Sequence, residues 1–153
     1  MINIDVLSED TNWSKKIKKN KDFFNIISKA FPRKYQFINK KIFLTLLLSN
    51  NKKIKILNKQ FRNKNKPTDI LSFPFQKKNN IKNESYLGDI IISYNFMNNP
   101  KKQSVKLFKD KLIKTFIHGF LHLLNFDHIK LKDYKKMLKE EQKIYQSVIK
   151  KVY

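Results

Sequence analysis

All three histidines of the chain fall within one eleven-residue stretch, His118-Gly-Phe-Leu-His122-Leu-Leu-Asn-Phe-Asp-His128. Imidazole is a good metal ligand, and the spacing here suits one site. On a helix, His118 and His122 stand one turn apart on the same face. His128 follows six residues later, past the point where that helix should stop. Two imidazoles from a helix and a third from the returning chain make three corners of a tetrahedron. The fourth corner is left for water, as in a catalytic rather than a structural zinc site. A single histidine on an apolar helix face is more often a packed core residue. Three in this register, with none elsewhere, favour a metal ion.

The same His-x3-His-x5-His spacing occurs in metzincin proteases, where a Glu directly after the first His is the general base. Here that position is Gly119, which has no proton acceptor. The coordination logic survives and the peptidase chemistry does not. Asn125 stands where the helix must end, and Asn is the best non-glycine residue for the left-handed turn required there. Its presence also matches the Asn-rich composition. Asp127, beside His128, has three readings: orienting a ligand imidazole, making a turn contact, or acting on a metal-bound water. The first two rank above the third.

Only two arginines, Arg33 and Arg62, occur against a large excess of lysine. A planar guanidinium suits a phosphate better than an ammonium does, so Arg62 is a candidate phosphate ligand. It could equally cap a helix end or pair with Asp69. Asp69 and Asp89 are candidates to face a cleft, although Asp in such places more often caps a turn. Phe73, Phe75 and Tyr86 are either base-stacking aromatics or core residues.

The hydrophobic pattern says what must position these groups. Residues 2–7 alternate as a strand. A helical pattern runs from Asn12 to Phe31 with Trp13, Ile17, Phe23/Phe24 and Ile27 on one side, ended by Pro32. Lys41–Ser49 is a β-type run. Asn50–Arg62 predicts a helix with Ile54, Leu57 and Phe61 on one face, followed by a polar turn, 63–67. Residues 69–73 form a short strand, and Pro74 marks a sheet edge or strand end. A polar loop, 76–85, leads to a strand over 87–93 and a short helix ending near Pro100. Ser104 is a suitable N-cap for the long helix carrying His118 and His122, which should be central and well buried. A last amphipathic helix over 131–148 places Tyr134, Leu138 and Ile144 inward and a solvated Lys/Glu face outward. The expected architecture is one α+β domain, a small mixed β-sheet packed by several helices.

A chain of 153 residues can bury one core and is short for two. The lack of cysteine excludes a disulfide framework and thiolate ligands and fits a reducing cytoplasm. The start, Met-Ile-Asn-Ile-Asp, does not read as a signal peptide. Apolar runs such as Ile42–Leu48 are too short to span a bilayer. A formal net charge of +22 calls for a polyanionic partner. Nearly all of it is lysine in a chain also rich in Asn, Ile and Phe, the signature of an AT-rich coding sequence. The charge is therefore read as part function and part drift; RNA fits it better than a membrane surface.

Three ordered blocks carry a family resemblance. His118 to His128 resembles the H-G-x-L-H-L-x-G-[YF]-D-H signature of the YbeY-type rRNA maturation endoribonucleases at every fixed position except Asn125. Leu57-Asn-Lys-Gln-Phe-Arg62 with Lys66-Pro-Thr-Asp-Ile-Leu-Ser-Phe-Pro74 is similar to that family's L-N-x-x-[FY]-R…K-P-T-D-V-L-S-F-P segment. Leu87-Gly-Asp-Ile-Ile-Ile-Ser93 is similar to its L-G-D-I-x-I-S strand. The resemblance spans much of the chain from about residue 55 onward. It implies a single domain over residues 1–153 that cleaves single-stranded RNA in 16S rRNA maturation and ribosome quality control. By the same resemblance, one zinc-like ion is held by His118, His122 and His128. Arg62 and His118 are catalytic and Arg62 also binds substrate. The expected partners are rRNA and the ribosome or a ribosomal subunit, with no membrane and no DNA. The rival reading is a non-catalytic rRNA-binding assembly factor with the metal as a structural staple.

Overall fold

The computed structural model describes residues 1–75 and 81–153. Four strands, β1 (Ile2–Ser8), β2 (Lys41–Ser49), β3 (Ile70–Pro74) and β4 (Glu84–Ser93), form one sheet in the order β1-β2-β4-β3. The pairs β1–β2 and β2–β4 are parallel, and β3 runs antiparallel to β4 as an edge strand. The helices are α1 (Asn12–Lys16), α2 (Asn20–Lys29), α3 (Asn51–Arg62), α4 (Tyr94–Met97), α5 (Val105–Leu123) and α6 (Leu131–Val152), with a 3₁₀ turn over Arg33–Tyr35. This is the expected α+β class with a mixed sheet. Among the described residues, no helix is long and apolar enough to cross a membrane.

The alternation along β2 explains the layering. Ile42, Leu44, Leu46 and Leu48 are buried on one face and join Ile4, Ile90 and Ile92 beneath the helices. Leu47, on the other face, joins Ile91, Leu71 and the α3 residues Ile54 and Leu57 in a smaller cluster. The larger core is built around α5, whose Phe108, Leu112, Phe116 and Phe120 have essentially no exposure. Ser104 caps α5 as expected, its hydroxyl accepting from the Leu107 N–H at 3.2 Å. Asn50 does the same for α3, accepting from the Lys53 N–H at 3.1 Å.

Four expectations are corrected. The helix expected over 12–31 is broken after Lys16, where Ile17 becomes extended. Trp13 is held by Phe108 and by its indole N–H on the Ser49 carbonyl, whereas Phe24 packs on Phe116. Those anchors on α5 lie about 12 Å apart, but an unbroken helix from 13 to 24 would span about 16 Å. The strand expected to begin at 87 begins at Glu84, because Glu84–Tyr86 pair with Lys41–Phe43 despite their polarity. The predicted loop 76–85 therefore ends earlier, and its first part, 76–80, lies outside the described residues. On α3, Asn58 rather than Phe61 faces inward, its amide donating to the Lys66 carbonyl at 2.8 Å. On α6, which extends to Val152, the inward positions are Met137, Glu140, Ile144 and Val148, while Tyr134 and Leu138 are exposed. Glu140 is tolerated inside because Tyr35 donates its hydroxyl to the carboxylate at 2.5 Å.

Candidate metal centre

Two backbone features bring the three imidazoles together. The first is the C-terminus of α5. Asn125 is left-handed at φ 68°, its N–H bonds the His122 carbonyl at 2.9 Å, and the Phe126 N–H bonds the Leu121 carbonyl at 3.1 Å. This pair of reversed bonds is a Schellman motif, which ends a helix and turns the chain back over its last turn. The turn carries His128 over His118 and His122. Ring centroids are 4.6 Å apart for His118–His122, 5.1 Å for His122–His128 and 5.5 Å for His118–His128.

The second feature is the close seating of α5 on the sheet at Gly119. A Cβ there would lie 2.5 Å from the Ile70 Cδ1 and 3.0 Å from the Ser72 Oγ. The Ser72 hydroxyl instead donates to the Gly119 carbonyl at 3.1 Å. The position after His118 thus lacks a side chain for a packing reason, and no general base from that position can reach the site.

One nitrogen from each histidine can be chosen so that all three lie within 4.8 Å of one another. The Nε2 atoms of His118 and His122 are 3.0 Å apart. Zinc–nitrogen bonds of ~2.0–2.1 Å in a tetrahedron place ligand nitrogens about 3.3 Å apart, so this pair fits such an ion. The outer nitrogen of His122, Nδ1, lies 2.9 Å from the Phe126 carbonyl. A carbonyl only accepts, so Nδ1 carries the proton and Nε2 presents its lone pair. Burial pushes His122 below the ordinary imidazole range, helped by the charges of His118, His128 and Arg62 and opposed by the Phe126 carbonyl. A neutral ring is the form a metal requires. His118 Nδ1 meets the Glu141 Oε1 of α6 at 2.6 Å.

The histidines line one end of a cleft of about 600 Å³. Arg62, Lys64, Lys66, Asp69 and Ile129 line it too. Arg62 donates from Nη2 to the Ser72 carbonyl at 3.1 Å and lies 5.9 Å from the Phe73 ring centre, so it neither caps α3 nor pairs with Asp69. Asp69 lines the cleft but spends Oδ1 on the Ile70 N–H and the Thr68 hydroxyl, a turn role. Asp89 is outside the cleft, where Tyr86 donates its hydroxyl to it on the α3 side of the sheet. Asp127 accepts from the Ile129 N–H at 3.3 Å, a turn contact. Phe75 is exposed and Tyr86 is half-buried on the sheet. Glu141 was hidden in sequence among the charges of α6. The signal that locates it is apolar spacing: Met137 and Ile144 bracket it on the inward seam.

A family model described as Endoribonuclease YbeY matches residues 7–149. The chain is 69% identical over 152 residues to a protein of Pelagibacter ubique (strain HTCC1062) named Endoribonuclease YbeY, covering 99% of each. A protein of the same name from Fusobacterium nucleatum is 32% identical over 146 residues, 94% of this chain and 84% of that one. A solution structure from Thermotoga maritima superposes with a TM-score of 0.58 at 27% identity, covering 95% of this chain and 88% of that one.

Proposed function

The chain belongs to the endoribonuclease YbeY family, and from that premise we propose a metal-dependent, single-strand-specific endoribonuclease in which residues 1–153 act as one domain. It is a hydrolase of RNA phosphodiester bonds. The observation that carries metal dependence is the convergence of His118, His122 and His128 at the end of a cleft that also holds Arg62. We assign the three histidines as ligands to one zinc-like ion, with Arg62 at the reacting phosphate and His118 catalytic through the ion it holds.

A divalent ion held there supplies Lewis-acid charge and an acidified water at neutral pH. The protein's own contribution is positional. The Ser72 carbonyl fixes one arm of the Arg62 guanidinium, and the remaining N–H groups are donors for phosphate oxygens. Charge from that arginine is worth most on the oxygens whose negative charge grows during cleavage. Lys64 and Lys66 on the cleft wall hold the flanking strand through its phosphates, a contact that reads no sequence. Exposed Phe75, just past β3, offers a ring face to an unstacked base, whereas Phe73 packs on Phe61 of α3 and on the smaller cluster.

In the cell this activity is assigned to 16S rRNA maturation and ribosome quality control in the cytoplasm, with the ribosome or a subunit as partner. The supporting features are the family and the net charge of +22. The assembly-factor reading with a structural metal is less well supported. The main hydrophobic core packs through α5 and the sheet, and the three histidines are not part of it.

The test is His122→Ala. Zinc content and cleavage of a labelled single-stranded RNA should fall together while the circular-dichroism spectrum is retained. Cleavage at the wild-type rate, with a mock purification showing no background nuclease, would reject the metal-centred reaction.

A further inference from the structure

We propose that Glu141 is a positioning residue for the metal centre: it fixes the His118 ring in the tautomer that presents Nε2 to the ion. The inference rests on the metal reading above and concerns a residue on an element, α6, that supplies none of the three ligands.

The geometry is direct. Glu141 Oε1 lies 2.6 Å from His118 Nδ1, the short distance of a charge-assisted hydrogen bond. A carboxylate accepts, so the ring nitrogen donates, and the remaining lone pair of His118 is on Nε2. That atom is 3.0 Å from the Nε2 of His122. His122 is set the same way by the Phe126 carbonyl. Two rings locked from behind thus aim two lone pairs at each other, an arrangement that is repulsive until a cation draws both. The two locks differ in kind. The Phe126 carbonyl comes with the turn at the end of α5, whereas Glu141 is a side chain from another helix.

Glu141 is held firmly enough for the task. Met137, one turn before it, and Ile144, one turn after, are both buried in the main core. The α6 backbone at Glu141 is therefore fixed against α5. The carboxylate is partly shielded, with 26% of its side-chain surface exposed. A ligand histidine whose other N–H meets a carboxylate is oriented and made more basic, and loss of such a partner costs about 10–100-fold in metal affinity.

The test compares wild type, Glu141→Gln and Glu141→Ala by zinc competition against a chromophoric chelator and by ring ¹⁵N NMR of the metal-free proteins. The dissociation constant for zinc should rise about 10–100-fold in Glu141→Ala. The rise should be smaller in Glu141→Gln, whose amide oxygen still accepts the N–H but carries no charge. In metal-free wild type the His118 ring should be the Nδ1–H tautomer, and in Glu141→Ala a mixture. A merely structural role would move stability without moving the tautomer. Unchanged zinc affinity in both variants, or an unchanged His118 tautomer in Glu141→Ala, overturns the proposal. Should the Ala variant fail to fold, the near-isosteric Gln variant decides it: wild-type affinity there overturns it. Wild type that binds no zinc would defeat the metal reading itself, and the tautomer comparison would still decide whether Glu141 sets the ring.

Discussion

The His122 ring is tied at Nδ1 to the carbonyl of Phe126, four residues further along the chain, at 2.9 Å. The tie exists because Asn125 between them is left-handed, which swings the Phe126 peptide back toward the last turn of α5. One turn conformation therefore sets both the path of His128 and the tautomer of His122.

That coupling makes Asn125 measurable. Asn125→Ala should destabilise the protein by about 1–2 kcal/mol, the cost of a left-handed conformation for a residue with an ordinary Cβ. It should weaken zinc binding in the same variant, because relaxing the turn moves the Phe126 carbonyl. Asn125→Gly keeps the turn and should keep the affinity. Urea unfolding of the metal-free proteins and chelator competition read the two effects separately.

Gly119 tests the seating of α5. Gly119→Ala should gain up to about 1 kcal/mol of helix propensity and lose about 1–3 kcal/mol to crowding against Ile70, Ser72 and Ile90. The net sign should be destabilising, and the Ser72–Gly119 bond should lengthen. A variant more stable than wild type by thermal unfolding would show that α5 has slack there.

Much of this site was legible in the sequence, and the part that was not has definite physical causes. The histidine spacing, the left-handed residue at Asn125 and the Ser104 cap depend on local geometry, which a short stretch of sequence determines. Glu141 and Asn58 were missed because a charged or amide residue reads as solvent-facing until a partner from another element is seen. The same holds for Glu140, whose partner Tyr35 is distant in sequence. The break after Lys16 was invisible because Trp13, Ile17 and Phe24 share one helical phase. Only the separation of their anchors on α5 requires the bend.

The buried Tyr35–Glu140 pair should shape the pH dependence of stability. The Tyr35 hydroxyl holds the Glu140 carboxyl below its ordinary value, and burial with that carboxylate pushes the Tyr35 phenol up. A lowered carboxyl contributes stability above about pH 4.5 and loses it as pH falls through the folded value; a raised phenol contributes below about pH 10 and loses it above. Tyr35→Phe should cost about 1–3 kcal/mol at neutral pH. Its stability should then fall less steeply below about pH 4.5 than that of wild type. Parallel acid limbs in urea titrations of the two proteins would remove the pair from this role.

Metal removal should leave a folded protein. In excess chelator the far-ultraviolet spectrum should be unchanged, because the core beneath α5 closes without the histidines. Zinc at one hundred times its dissociation constant should add about 2.7 kcal/mol, or about 5–11 °C in Tm for a chain of this size. Loss of secondary structure on chelation would favour the structural-staple reading instead.

Arg62 separates binding of the ion from use of it. Its guanidinium lies on the cleft wall with one arm spent on the Ser72 carbonyl, and it is no metal ligand. Arg62→Lys keeps the charge but cannot hold that carbonyl and a phosphate in one planar fork. Single-turnover cleavage should fall about 10²–10³-fold, the usual loss when one donor to developing charge is removed. Zinc affinity should not fall, since removing the fork takes no nitrogen from the site. Both quantities can be read on one preparation, by chelator competition and by cleavage of a labelled single strand. A variant that cleaves normally shows that the lysines on the cleft wall supply the needed charge; one that loses zinc as well shows that Arg62 supports the ligands rather than the phosphate.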